Sequence, residues 1–527
     1  MTDYSSAFGS SVVLNGNKSD NDDKPQTAPK FTLEDRKGFK PPRGGRKSQA
    51  GESTVPNAFW QPPETLPASA FWRYQDGGLF LGFGGGVPVG VKDDRHLVTV
   101  AGARAGKTST LLIPNLLLYR GSTVVLDPKG ELASATASHR AKALGHDVFV
   151  LDPWRVARGC PPELQSQFNP LSELLSDDPE NRFPDTLIDD ASLMAEALIQ
   201  DQGENSAHWT SSARDFVRSA ILYLVADDGR DDANLVDLLA LVTDAMGDKD
   251  GGEFLAMMAY FEGGETVPQS ITDTINLVGK GMMNTPANER NSILSTARNQ
   301  LGFLTSQQMA DNLGASSMRL YDLKRKPVTI YLCLPASRML THAKWMRLIL
   351  NLAMSALELE ETKPELPVLL MLEEFAALGH MRALEQASAY MAGFGVKLWA
   401  VLQDMSQLKR HYKEGWETFL GNAGVVTVFG NNDQTTLDYV SKRLGDTFVY
   451  LQETTAQGSG AMAGGAPTTR ENFQRVPLLA PHEVARSFGR SAMNCLAMPA
   501  DGAPIALDRH YVDDPQSFVD FVNEKPA

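Results

Sequence analysis

The stretch AGARAGKT, residues 101–108, constrains this chain more than any other feature. It follows the apolar run HLVTVA without a linker and opens into a second apolar run that reaches Tyr119. A buried strand that stops in a Gly-rich turn ending Gly-Lys-Thr, and restarts as a helix, is how a chain builds a phosphate cradle. Successive backbone N–H groups point inward and the positive end of the helix faces the anion. On this reading Gly102, Ala103, Arg104, Ala105, Gly106, Lys107, Thr108 and Ser109 bind a nucleotide. The Lys107 ammonium reaches the terminal phosphates and the Thr108 hydroxyl holds Mg2+. The pattern departs from its usual form at the first Gly, which is Ala101 here. A strand-to-helix turn that merely contains Gly106 and Lys107 is the competing reading, and the apolar flanks on both sides weigh against it. Pro114 should fall in the first turns of the helix or distort it.

The rest of the chain supplies the sheet such a loop needs. Residues 78–91 alternate Gly with Leu, Phe and Val, as a bent hairpin does. The runs STVVLDPKGE and VFVLDPW both end in Asp-Pro, so two strands finish in the same turn. From about Phe168 to Lys326 apolar residues recur instead at helical spacing, as at Phe216, Val217, Ala220, Ile221 and Leu224. Strands then return in VTIYLCLP, VLLMLEE, KLWAVLQ and VVTVFG. The expected class is α/β, a mainly parallel sheet with helices on both faces, interrupted by an all-α insertion. The motor unit occupies residues 67–169 and 323–513, and the insertion residues 170–322. Residues 1–66 read as a polar tail with a basic stretch at Lys30, Arg36, Lys37, Lys40, Arg43, Arg46 and Lys47, and residues 514–527 as a C-terminal tail. The run QGSGAMAGGAP, residues 457–467, reads as a mobile loop.

At 527 residues the chain is long enough for two globular units. A net charge of -15 excludes a surface that is basic throughout, and leaves room only for a local basic patch. Cys160, Cys333 and Cys495 form no CxxC pair, which argues against a disulfide framework or a zinc ribbon and for a reducing cytoplasm. No apolar run approaches the roughly 18 residues of a membrane span.

VLLMLEE ends at Glu373 and Glu374. In a phosphate-loop enzyme the first acid of such a pair orients Mg2+ through water and the second polarises the attacking water. The usual first acid is Asp; the longer Glu373 side chain moves the carboxylate by roughly a bond length, which leaves open whether hydrolysis is weakened. Gln403, at the end of KLWAVLQ, is placed to position water or report on the nucleotide. Asp127 reads first as a turn residue of DPKG. No histidine cluster or Ser-His-Asp arrangement competes with these groups.

Taken together, AGARAGKT, VVLDPKGEL, VFVLDPW with FNPL, LKRKPVTIYLCLP, LLMLEEFAALGHM, GVKLWAVLQDMSQLKRHY, GNAGVVTVFGNND and YVSKRLG resemble the type IV secretion coupling proteins of the TraG type, over roughly Phe71 to Tyr511. The resemblance implies a RecA-like motor with an all-α insert that reads substrate, assembled as a hexameric ring and coupling ATP hydrolysis to delivery of DNA or secreted protein. It implies that Lys107 and Thr108 hold ATP and Mg2+, that Glu374 is the catalytic carboxylate and that Gln403 is the sensor. Three departures stand out. The polar tail replaces the usual membrane helices, so a cytoplasmic protein is expected, reaching the inner membrane through secretion components or a separate anchoring partner. The acidic pair is Glu-Glu. Ala392 stands where some relatives carry an arginine that acts across subunits, leaving Arg104, Arg382 and Arg410 as candidates. The alternatives are a nucleotide-switched adaptor with little turnover and a soluble DNA translocase unconnected to secretion.

Overall fold

The computed structural model describes residues 58–200, 207–227, 232–247, 252–455 and 468–512. The basic stretch of the N-terminal tail, the run 457–467 and the tail 514–527 lie outside the described residues. The chain divides into two compact units and passes between them at Tyr119/Arg120 and Ala400/Val401.

Arg120–Ala400 is built on five strands in the order Val396–Leu402, Val368–Leu372, Thr123–Asp127, Val328–Cys333, Asp147–Leu151. All four pairings are parallel. Both faces of a parallel sheet are covered, so its strands are continuous apolar runs. Every residue of the three central strands is buried. Between Asp147–Leu151 and Val328–Cys333 the elements of the described residues are helices, as the 3.6-residue spacing predicts. Helix Ala207–Ala226 is the hub, with Phe216, Val217, Ala220, Ile221 and Leu224 all fully buried. Helix Ala336–Leu359 then leads back toward the sheet.

One polar network in this unit is set against a charge. His146 is 5% exposed. Its Nε2 donates to the Arg120 carbonyl at 3.0 Å, and its Nδ1 accepts from the Thr329 hydroxyl and from Nη2 of the fully buried Arg140. Burial first, and then the Arg140 guanidinium, lower its pKa to about 4. The unfolded chain therefore takes up a proton near pH 6.5 that the folded chain refuses until about pH 4. Stability should fall as pH drops through that window. His146→Gln should flatten the pH dependence of the urea midpoint there, and an unchanged slope would refute the assignment.

The second unit comprises the described residues up to Tyr119 and those from Val401. Its strands run in the order Val87–Val91, Leu79–Gly84, Ile505–Asp508, Asn494–Pro499, Ala423–Phe429, His96–Ala101. Only the last pair is parallel. The expected hairpin is present and bent, with a register shift between Phe80 and Gly82. Its turn is Gly85-Gly86, both at positive φ, as a two-residue hairpin loop requires. A separate hairpin pairs Asp446–Thr455 with Thr468–Pro477.

Two expectations need correction. The polar tail does not extend to residue 66. Trp60 is buried with its ring 6.3 Å from that of Phe488, and Leu66 is fully buried in the turn Pro63–Ala68. Two large apolar side chains anchor this end, and composition averaged over a polar stretch hides them. The strands Asn494–Pro499 and Ile505–Asp508 were not anticipated; they pair antiparallel, outside the parallel strand pattern that the apolar runs singled out.

Candidate nucleotide-binding site

Strand His96–Ala101 is buried along its whole length and pairs in parallel with Ala423–Phe429. Its end is fixed by the Gly102 amide, which donates to the Phe429 carbonyl at 3.1 Å. Gly102 lies so close to the backbone of Gly430 that a Cβ would collide with the Gly430 carbonyl oxygen. The chain then turns through Arg104 at φ +56° and Gly106 at φ +86°, with the Ala105 amide bonded to the Gly102 carbonyl at 3.1 Å. Left-handed φ at Gly106 costs nothing, whereas at Arg104 it is strained on the order of 1 kcal/mol, as residues in binding loops often are. Lys107 is 8% exposed, which leaves its aliphatic stem packed in the loop.

The helix expected after the loop forms with the distortion foreseen at Pro114. Thr108–Leu112 is a π-helical turn whose last bond runs from the Ile113 amide to the Thr108 carbonyl, and Ile113–Leu118 continues as α-helix. Proline has no N–H and crowds the preceding turn, and widening to a five-residue spacing accommodates it. Asn115 locks this helix to the hairpin. Its amide donates to the carbonyls of Phe80 and Leu111 and accepts from the Phe80 amide, each at 2.8 Å.

Within the same unit, Gln403 is pinned by its backbone. Its amide donates to Oε1 of Gln407 at 3.1 Å, and its carbonyl accepts from Nδ2 of the buried Asn431 at 2.7 Å. Asn431 was not among the anticipated residues; the GNN turn after VVTVFG was the available signal.

In the other unit, strand Val368–Leu372 delivers the acidic pair. Glu373 is 1% exposed. Glu374 stands at φ +56° at the start of the turn Phe375–Leu378, its carbonyl holding the Ala377 amide at 2.7 Å. This non-glycine residue is held in the left-handed region, where strain marks functional positions. The neighbouring strand ends at Asp127, which does form the expected turn, with the Gly130 amide on its carbonyl at 3.2 Å. It does more than that. Its Oδ2 caps the amide of Ala133 at 2.8 Å, Oδ1 is buried without a hydrogen bond, and burial followed by the charge of Glu373 raises its pKa to about 8. Asp127 is thus a protonated acid at neutral pH beside Glu373. Arg104, Arg382 and Arg410 are all exposed, and Ala392 is half-buried.

Residues 52–493 match the family model for type IV secretory system conjugative DNA transfer. The chain belongs to this family. A conjugal transfer protein TraG of Escherichia coli is 28% identical over 439 residues, which is 79% of this chain and 64% of that protein. Protein VirD4 of Agrobacterium fabrum (strain C58 / ATCC 33970) is 28% identical over 398 residues, 74% of this chain and 55% of that protein. The chain thus spans between about half and two thirds of the length of these relatives. The unbound bacterial conjugative coupling protein TrwBdeltaN70 superposes with a TM-score of 0.60 over 89% of this chain and 94% of that one, at 14% identity. Plasmid coupling protein TrwB in complex with ADP and Mg2+ gives 0.60 over 87% and 94%, also at 14%. These likenesses show that this member of the family has the coupling-protein fold, a RecA-like α/β domain with an all-α insertion.

Proposed function

We propose that this chain is an ATPase that recruits DNA, secreted protein or both to a type IV secretion or conjugation apparatus, working as a ring of identical subunits. The observation that carries the reading is the phosphate loop, where Gly102 has no room for a side chain, Gly106 supplies the left-handed turn and Lys107 is packed in the loop. The backbone of residues 102–109 would cradle the phosphates of ATP, with Lys107 placing its ammonium on the terminal ones. The Thr108 hydroxyl and the Glu373 carboxylate, the latter through water, are oxygen donors of the kind Mg2+ prefers. Bound Mg2+ would supply charge neutralisation at the terminal phosphates.

Glu374 accepts the proton of the attacking water, and Gln403, held by Gln407 and Asn431, orients that water and senses the nucleotide. The insert, residues 170–322, reads the substrate. One of Arg104, Arg382 and Arg410, exposed on the subunit, acts across the ring. Among the described residues no helix is long and apolar enough to cross a membrane. The protein is a cytoplasmic one, recruited to the inner membrane by partners.

The test is steady-state ATP hydrolysis by the purified protein, with and without DNA and over a range of protein concentrations, beside Lys107→Ala. Turnover should rise with concentration or DNA and vanish in the variant. Wild-type rates in Lys107→Ala would overturn the assignment. Tight ATP binding without turnover would instead support the switched adaptor, the reading that the Glu373 departure favours.

A further inference from the structure

The segment that follows the last strand of the sheet, residues 509–512, is tied to the phosphate loop at both ends. Arg509 is 4% exposed. Its Nη1 donates to the carbonyl of Ala105, in the middle of the loop, at 2.6 Å, and its Nε donates to the Asn494 carbonyl at 3.2 Å. The guanidinium lies over the ring of Phe429, 4.1 Å from its centroid. Phe429 ends the strand whose carbonyl fixes Gly102, so one side chain touches both walls of the loop. Three residues on, the Val512 amide donates to the Ser109 carbonyl at 3.0 Å. That carbonyl has no donor within its own helix, because Ile113 bonds to Thr108 instead and Pro114 has no N–H. Between the two ties, the Tyr511 ring lies 3.2 Å from where a Cβ on Gly106 would stand.

The charge of Arg509 is what makes this more than packing. Nη2 is buried without a hydrogen-bond partner, and among the described residues no carboxylate pairs with the guanidinium. Burial pushes the neighbouring Cys495 thiol up to about 12, so it supplies no negative charge at neutral pH. Arginine does not shed its proton under such conditions, and a buried cation without a counter-ion is costly. A chain that keeps one there, bonded to the loop built for phosphates, gains when an anion arrives.

We propose that Arg509 is a positioning residue of the nucleotide site: it holds the Ala105 peptide in place, and its uncompensated charge is balanced by the nucleotide's phosphates, so that occupancy of the loop is coupled to the C-terminal segment 509–512. The proposal rests on the nucleotide reading above and adds to it a cation supplied in the same subunit from the far end of the chain. Ligand and segment then stabilise each other, since coupling is reciprocal.

The experiment measures the melting temperature of the nucleotide-free protein and the Kd of ADP with Mg2+ for wild type, Arg509→Met and Arg509→Lys. Removing an unpaired buried charge should leave the nucleotide-free melting temperature unchanged or raise it. The same change should weaken ADP on the order of tenfold, the worth of one charge-assisted contact. Arg509→Lys keeps the charge and should remain within about threefold of wild type. A Met variant that melts lower and binds ADP normally would show a merely structural brace and overturn the proposal. If the Met variant does not fold, the Lys variant decides, since a folded Lys protein with a tenfold loss also overturns it. A wild-type protein that melts cooperatively but does not bind ADP would instead remove the nucleotide reading and this inference with it.

Discussion

Glu374→Gln is expected to lower the rate of ATP hydrolysis by about a thousandfold, the middle of the range for loss of a positioned proton acceptor. Binding of ATP should stay within about threefold of wild type, because the amide keeps the size and shape of the acid and removes only its basicity. The backbone gives a reason to expect the fold to survive. Glu374 is held at φ +56° by the bond from Ala377 to its carbonyl, a bond the side chain does not share. A protein that binds ATP and cannot release it as product should accumulate in its assembled form, visible as a larger species in sedimentation with ATP than with ADP. Unimpaired turnover in this variant would sink the assignment of Glu374. Loss of ATP binding together with turnover would show instead that the residue holds the loop of Phe375–Leu378 in shape.

The second large effect is structural in origin. Gly102→Ala places a methyl group against the carbonyl oxygen of Gly430, which is itself at φ +70° and has no room for a side chain on the Ala105 side. The atoms such a methyl group meets, the Gly430 carbonyl oxygen and carbon and the Asn431 nitrogen, are all backbone, so none can swing away as a flexible side chain would. The strand end must move, and with it the Gly102 amide bond to Phe429 that sets the start of the loop. We expect a loss of several degrees in melting temperature, of the size that about 2 kcal/mol of strain produces in a unit this large, and no measurable stabilisation by ADP. Gly145→Ala makes a suitable control. Nothing lies within 4 Å of its Cβ position, although its φ of +71° carries a small strain of its own. If Gly102→Ala melts like that control and still binds ADP, the close approach at Gly430 is not what shapes the loop.

Much of this was readable beforehand, for identifiable reasons. The strand–loop–helix order around residues 101–108 is local, and each part carries its own signal: apolar continuity in the strand, glycine in the turn, Lys and Thr at the helix start. The two Asp-Pro strand ends and the acidic pair after VLLML are likewise contiguous runs. The helical region declared itself by periodicity, and helix Ala207–Ala226 buries the side chains its spacing selected. The π-helical turn at Thr108–Leu112 was foreshadowed only as a distortion at Pro114.

The sequence by itself determined the class of the fold, the strand–turn–helix of residues 101–108 and the acidic pair at a strand end, because these are encoded in neighbouring residues and in their spacing. Only the tertiary structure decided that Asp127 is a buried acid beside Glu373 rather than a turn residue alone, since its pKa is raised by burial first and then by the charge of Glu373, more than two hundred residues away. Only the tertiary structure showed Trp60 and Leu66 packed at an end that composition assigned to a tail. It also brought Arg509 to the carbonyl of Ala105, some four hundred residues apart in the chain. Hydrogen bonds and desolvation depend on distance in space, and no spacing rule along the chain carries that information.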